Sequence, residues 1–407
     1  MFTVSDRLVP KLSLCMIVKN EEERLASCLE SVQGLVDEIV VADTGSSDGT
    51  VDLAARMGAQ VFRHPWKDDF SEARNAVVRQ AQGDWILQLD ADETLDPEDR
   101  SEVRNAVRSE HVAGYLVILL SRGPDRALYK HRSLRLFRRQ GVVYRGLIHE
   151  RPMVDGVVEL ASVRIHHFGY DGDPSRMTEK FQRNEKLLLR EKEDHPEDGF
   201  TRANLVRHYR ITRAWSQAVD EATSALALSG LSSFDEQMVL NDLMYCCFVL
   251  NRLDEAVEAG KRGLETNPCH LDMLFVMGGV MVRQKRLEEA LGYFHAYLEA
   301  SESDREMPGL EGLMMDTYGY QGRAWNNIAG CWQDLGLWPE AMKAYESAIR
   351  YEPQNAKFYK NLAGLCIRMG RSDLALRVLE DADRSGVEGI RALLQRVHHV
   401  PEISNRF

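Results

Sequence analysis

Long hydrophobic runs are missing from this 407-residue sequence. The longest, "VAGYLVILL" (Val112–Leu120), falls well short of the ~20 residues a helix needs to cross a bilayer. The opening "MFTVSDRLVPKLSLCMIVKN" lacks a charged leader followed by an apolar core and a small-residue cleavage site, so no export signal is expected. An excess of positive charge is missing too. The net charge of −12 argues against nucleic acid or an anionic membrane as the main partner, because both select basic surfaces. Cysteine is sparse and scattered: there are seven, with no Cys-x-x-Cys pair, and the adjacent Cys246 and Cys247 fall in a helical pattern. Packing is their expected role, and a reduced, cytoplasmic setting fits them best.

The chain exceeds the length of one ordinary domain, so two or three are expected. Its first half alternates strand-like and helix-like segments. "LSLCMIV" (Leu12–Val18), "DEIVVAD" (Asp37–Asp43), "AQVFRHP" and "DWILQLD" read as short buried strands. Between them "EEERLASCLESVQG", "GTVDLAARMG" and "DFSEARNAVVRQAQG" have helical spacing, with Asn20 as the expected N-cap of the first. Short apolar strands alternating with helices predict a mostly parallel sheet covered on both faces. Ligands of such sheets bind at the carboxyl ends of the strands, where "VKNEE", "ADTGSSDGT" and "LDADE" fall.

From about Thr201 the period changes. "LDEAVEAGKRGLETNP", "LEEALGYFHAYLEAS", "WPEAMKAYESAIRYEP" and "SDLALRVLEDADRSG" align on Ala256, Ala290, Ala341 and Ala375, and a weaker copy carries Ala218. The first and last intervals are 34 residues, and the middle one is 51, a period with 17 residues inserted. A 34-residue helix-turn-helix period with small residues at the helix crossings is similar to the tetratricopeptide repeat. The expected domains are therefore 1–200 and 201–386, with an insertion near 302–320 read as a loop and 387–407 as a capping segment. Such a stack presents a concave surface for peptides or proteins, unless it serves as a structural or dimerising appendage.

The run "WILQLDADETLDPED" (Trp85–Asp99) ends a strand in a crowd of acids. In extended backbone, residues two apart point the same way, so Asp90 and Asp92 present two carboxylates on one side. Hard oxygen ligands so spaced suit Mg²⁺ or Mn²⁺. Asp96, Glu98 and Asp99 read instead as a solvated helix start. Two chemistries use an Asp-x-Asp pair: phosphoryl transfer of the haloacid-dehalogenase type, whose motif normally ends the first strand rather than the fourth, and sugar transfer from a nucleotide-sugar.

Across Leu14–Glu93 the linked motifs "LCMIVKNEEERLASCLESV…DEIVVADTGSSDGTVDLA…FRHPWKDDFSEARNAV…GDWILQLDADE" resemble family 2 glycosyltransferases of the GT-A fold. With the repeats, they look like the branch that includes sublancin-type peptide S-glycosyltransferases. The resemblance implies an α/β, Rossmann-like GT-A domain followed by an all-α tetratricopeptide superhelix. It places Asn20 and Glu21 in the nucleotide pocket, Asp43 at the base, and Ser46 and Asp48 in the adjoining turn. Asp69 and Arg74 match the block near the donor, with an N-cap and a solvated helix face as the alternative. Asp90 would face the ribose or diphosphate, and Asp92 would bind the metal, with His149 or His167 as a further ligand. His166 and His167 are adjacent in a strand and point to opposite faces, so at most one reaches the site. An inverting transfer needs a base on the acceptor side, which makes Glu150 the first choice and Glu93 the second.

The resemblance thus implies a metal-dependent enzyme using a nucleotide-sugar, UDP-linked by expectation, and a peptide or protein acceptor. Three other readings stand beside it: a saccharide or lipid-linked acceptor with the repeats forming a homo-oligomer, a non-catalytic nucleotide-sugar scaffold, and the phosphatase.

Overall fold

The computed structural model describes residues 9–122, 128–168, 174–303, 309–310 and 312–398. Leu12–Val18 (β1) is almost wholly buried along its length, as a strand covered on both faces must be. Glu38–Asp43 (β2), Gln60–Arg63 (β3) and Trp85–Gln88 (β4) join it in parallel. The connections carry the helices Leu25–Ser31 (α1), Thr50–Arg56 (α2) and Phe70–Gln80 (α3). The registers bring the carboxyl ends together, with Asp43 opposite Val18 and Gln88 opposite Cys15.

Six more strands complete this part: Glu93–Leu95 (β5), Val112–Arg122 (β6), Leu128–Arg138 (β7), Val143–Arg145 (β8), Arg151–Met153 (β9) and Val157–His167 (β10). The main sheet has the order β3-β2-β1-β4-β7-β6-β10-β5, and β8 and β9 form a separate ribbon. β7 is antiparallel to both β4 and β6, and β5 is antiparallel to β10. One apolar cluster on the sheet includes Leu14, Trp85, Leu87 and Val117, and a second includes Cys15, Ile86, Phe137 and Tyr144. The alternation of inward residues along β1 explains the split: Leu14 and Cys15 are neighbours but serve opposite faces. The β7 ladder contains a bulge, because Tyr115 pairs with Leu136 while Leu116 pairs with Leu134. Arg135 is the extra residue.

The helices that follow are Arg100–Ala106 (α4), lying between β5 and β6, then Pro174–Asp194 (α5), Gly199–Ile211 (α6), Trp215–Leu226 (α7) and Ser233–Val249 (α8). Next come Leu253–Thr266 (α9), Leu271–Arg283 (α10), Leu287–Ser303 (α11), Gln321–Asp334 (α12), Trp338–Tyr351 (α13), Ala356–Arg368 (α14), Ser372–Arg384 (α15) and Arg391–His398 (α16). Ala256, Ala290, Ala341 and Ala375 are fully buried at helix crossings, as their spacing predicts. No helix among the described residues is long and apolar enough to cross a membrane.

The compact units divide differently from the expected boundary at 200. One comprises Met1–Leu243 with Met307–Asp316, and the other Met244–Glu306 with Thr317–Phe407. Within the first, Glu221 on α7 accepts from Arg202 on α6 at 2.8 Å and from Lys192 on α5 at 2.5 Å. These bonds join α6 and α7 to the α5 that follows the sheet. The inserted segment is not a plain loop. Met315 bridges to Lys130 of β7, Leu310 and Leu313 are buried, and Asp316 pairs with Arg207 at 2.9 Å and with Arg210. Residues 304–308 and 311 of the expected insertion, 399–407 of the expected cap, and Gly169–Asp173 lie outside the described residues.

Candidate active site

The first loops at the carboxyl edge of the sheet bind each other. Asn20 adopts a left-handed φ of 57°, a conformation Asn tolerates better than most residues. Its amide donates to Ser46 Oγ at 3.0 Å, and its Oδ1 accepts from the Ser47 amide at 2.8 Å. This corrects the expected N-cap: α1 starts later, at Leu25, with Arg24 in the cap position. Glu21 donates its amide to Thr50 Oγ1 at 2.8 Å, and Asp48 accepts from the amides of Thr50 and Glu22. Asp43 is buried, and its Oδ1 accepts from the Ser46 amide at 2.9 Å. That turn passes through Gly45 at φ 115°, where a side chain would be strained. Asn20, Glu21, Asp43, Ser46 and Asp48 are thus one assembly of two loops. Burial raises the Glu21 carboxyl, and Asp92 and Asp90 push it further up against the opposing Arg24. Glu21 therefore faces the next group of acids.

That group rests on two buried arginines. Arg74 of α3 donates to Asp90 Oδ1 at 2.8 Å and, through Nε, to Glu150. Arg135 donates to Glu93 at 2.8 Å and lies 3.6 Å from Asp90 Oδ2. Gln88 hydrogen-bonds the Tyr144 hydroxyl at 2.7 Å, and its amide oxygen accepts from both arginines. Three carboxylates thus surround two guanidiniums, and buried charge is tolerable only when paired in this way. Burial would raise Asp90, yet Arg74 and then Arg135 hold it far below the usual carboxylate range. Glu93 goes the other way: its burial outweighs Arg135 and pushes it to about 7. The solvated-face alternative for Arg74 is therefore excluded, since its side chain is 9% exposed. Asp69, by contrast, is an N-cap, accepting from the Glu72 amide at 2.9 Å.

Asp92 stands at the tip of the turn. The Asp90 carbonyl accepts from the Glu93 amide, and the Glu93 carboxylate accepts from the Asp90 amide, each at 2.9 Å. Antiparallel pairing sets His167 opposite Glu93, and the Phe168 amide donates to the Asp92 carbonyl. His167 Nε2 consequently lies 3.4 Å from Asp92 Oδ2, while Nδ1 is 3.1 Å from Ser121 Oγ. Burial would lower His167, but its hydrogen bond and charge interaction with Asp92 raise it. His166 points to the other face and meets Asp96 at 3.0 Å. His149 occupies the turn between β8 and β9 at φ 53°, whereas among the described residues Asp92 forms ion pairs with His167 and, at 3.9 Å, Arg24.

The acids beyond the turn do mark a helix start, as expected, but apart from Glu98 they are not solvated. Asp99 and Asp96 are buried, and Asp99 grips Arg164 through both oxygens at 2.8 and 2.9 Å. Asp96 also caps the short 3₁₀ turn that precedes α4.

Among the described residues, no three His, Cys, Asp or Glu side chains converge as a ready-made metal cage. Asp92 and His167 nevertheless fit a divalent ion of the Mg²⁺ or Mn²⁺ kind. Such ions are commonly held by one or two protein groups, with substrate phosphates and water completing the shell. Arg135, Gln88 and Tyr144 were not anticipated as site residues. The available signal was a charged residue inside the apolar run "LRLF", where only a buried partner makes charge tolerable.

Residues 13–158 match the family described as Glycosyl transferase family 2, and residues 334–396 match a tetratricopeptide repeat. The chain therefore carries a family 2 glycosyltransferase domain followed by tetratricopeptide repeats. A TPR repeat-containing protein of Synechococcus elongatus is 36% identical over 203 residues, 47% of this chain and 50% of that one. The SPbeta prophage-derived glycosyltransferase SunS of Bacillus subtilis is 30% identical over 211 residues, 46% of this chain and 47% of SunS. The chain thus spans about half the length of these curated relatives. Among solved structures, the TPR protein YrrB is 18% identical, with a TM-score of 0.39, over 52% of this chain and 98% of YrrB.

Proposed function

We propose that this protein transfers a sugar from a UDP-linked donor to a side chain of a peptide or protein, with inversion at the anomeric carbon and with a divalent metal. The observation that carries the reading is the pairing of Asp92 with His167 beside an ionised Asp90, at the strand end of a family 2 domain. Asp92 and His167 would hold the ion. When bound, Mn²⁺ or Mg²⁺ neutralises the departing diphosphate.

The chain's own groups do the rest. Asp43 orients the base, and Asn20, Ser46 and Asp48 keep its loop in place. Asp90, kept ionised by Arg74 and Arg135, takes the ribose or diphosphate side. Both Glu93 oxygens are engaged, one by Arg135 and one by the Asp90 amide, and the side chain is 2% exposed. That withdraws Glu93 from acceptor chemistry and leaves Glu150 as the base. The acceptor atom forms its bond to the anomeric carbon, its proton passes to Glu150, and the bond to the diphosphate breaks. A thiol acceptor would lean on Glu150 less, since it is already partly ionised near neutrality.

The polypeptide acceptor is supported by the repeats and by the likeness to SunS. Mass spectrometry of a peptide library incubated with UDP-sugars and Mn²⁺ tests it. A sugar-sized mass gain on peptide is expected, whereas gain only on saccharide or lipid acceptors would contradict it.

A further inference from the structure

Arg135 lies where a regular strand would not have put it. Its neighbours show the shift: Leu136 belongs with the first apolar cluster, whereas Leu134, two residues away, packs against the second. Strict alternation would have kept both leucines on one face. The bulge resets the alternation at Arg135, and bulges of this kind re-aim side chains next to functional sites. The re-aimed guanidinium meets Glu93 at 2.8 Å and Asp90 at 3.6 Å, and it also donates to the Gln88 amide oxygen.

Glu93 has a second duty. Its other oxygen accepts the Asp90 amide, which closes the turn from Asp90 to Glu93 from the side-chain direction. The backbone bond from the Glu93 amide to the Asp90 carbonyl closes it from the other. Asp92 is the residue this doubly closed turn projects. Arg135 therefore holds both ends of the turn, Asp90 directly and Glu93 through its carboxylate, without touching Asp92 itself.

We infer that Arg135 is a positioning residue, whose bulge-directed clamp on Asp90 and Glu93 fixes the turn that presents Asp92 to His167. The inference rests on the proposed transferase reading for its catalytic consequence, but its geometric content stands apart from that reading. Partners one step removed from a metal-binding group typically alter affinity or activity by about 10- to 100-fold when removed. Lys could reach one carboxylate but not fork across two.

The test compares crystal structures and donor turnover of the full-length wild type, R135K, and the double variant R135Q/E93Q. The double variant removes the buried guanidinium together with the charge it neutralises, so it avoids leaving Glu93 unpaired. The expected result is an Asp92–His167 separation greater than 3.4 Å in R135Q/E93Q. Mn²⁺-dependent nucleotide release should fall about 10- to 100-fold, with a raised half-saturating Mn²⁺ and partial rescue in R135K. An unchanged Asp92 position in the variants overturns the inference, whatever the activity. A wild type that releases no nucleotide counts against the transferase reading alone, because the positional comparison still decides the role of Arg135.

Discussion

His167 Nε2 lies 3.4 Å from Asp92 Oδ2, although 75 positions separate the two in the chain. The contact follows from strand pairing: β5 runs antiparallel to β10, Glu93 faces His167, and Asp92 is carried in at the turn. Adjacent His166 is sent to the opposite face, to Asp96. A single step along one strand therefore separates a candidate metal ligand from a structural histidine.

That separation can be tested by substitution. H167A is expected to lose metal-dependent nucleotide release by more than about 100-fold, beyond the range of indirect effects. H166A is expected to keep most of its turnover and to lose only some stability. Kinetics at saturating donor, with Mn²⁺ varied, checks both. An H166A defect equal to that of H167A would contradict the assignment.

Arg74 compensates both Asp90 and Glu150. Removing it leaves Asp90 with Arg135 as its remaining guanidinium and takes from Glu150 the guanidinium it pairs with, and breaking a buried pair in this way costs about 3–5 kcal/mol. R74A should therefore lower the urea midpoint sharply and abolish turnover together. A change below about 1 kcal/mol would put the pair in the weak, solvent-exposed class instead.

A pH signature is expected at Asp316. Burial alone would raise its carboxyl, but Arg207 and Arg210 hold it below the usual value. A carboxyl depressed in the folded state adds stability above its unfolded pKa, ~4, and loses it as pH falls through the folded value. Stability should therefore rise from acid towards neutral pH, and D316N should remove part of that rise, about 2 kcal/mol for charged hydrogen bonds. Urea melts at several pH values provide the check; identical curves for D316N and wild type would refute it.

The compact division makes a prediction about truncation. A chain ending at Phe200 loses α6 and α7, and with them the Glu221 bonds to Lys192 and Arg202. It also loses Met307–Asp316, which belongs to the same unit as the sheet. Such a fragment is expected to show no cooperative thermal transition. A sharp transition with full donor turnover would mean that the sheet domain stands alone.

Much of the fold was legible because periodicity reports burial directly. The first strand is read to the residue, Leu12–Val18, since an apolar run buried on both faces has little room for ambiguity. The repeat alanines are equally plain, because close helix crossings admit only small residues. Helix starts are harder. Asn20 looks like a cap in sequence, yet it spends its side chain on Ser47 across the neighbouring loop, a partner no local pattern reveals. The acids after the turn mislead for the same reason: their partners, Arg164 and His166, lie some 65 to 70 positions away in β10. Arg135 is hidden by its bulge, since the extra residue breaks the alternation from which its direction would be read.

The most direct test of the account is nucleotide release from a panel of UDP- and GDP-sugars, with Mn²⁺, Mg²⁺ or EDTA, alongside D92A. The account predicts release from a UDP-sugar that requires the metal, stops with EDTA and is lost in D92A. Equal release in EDTA, or from D92A, would contradict it.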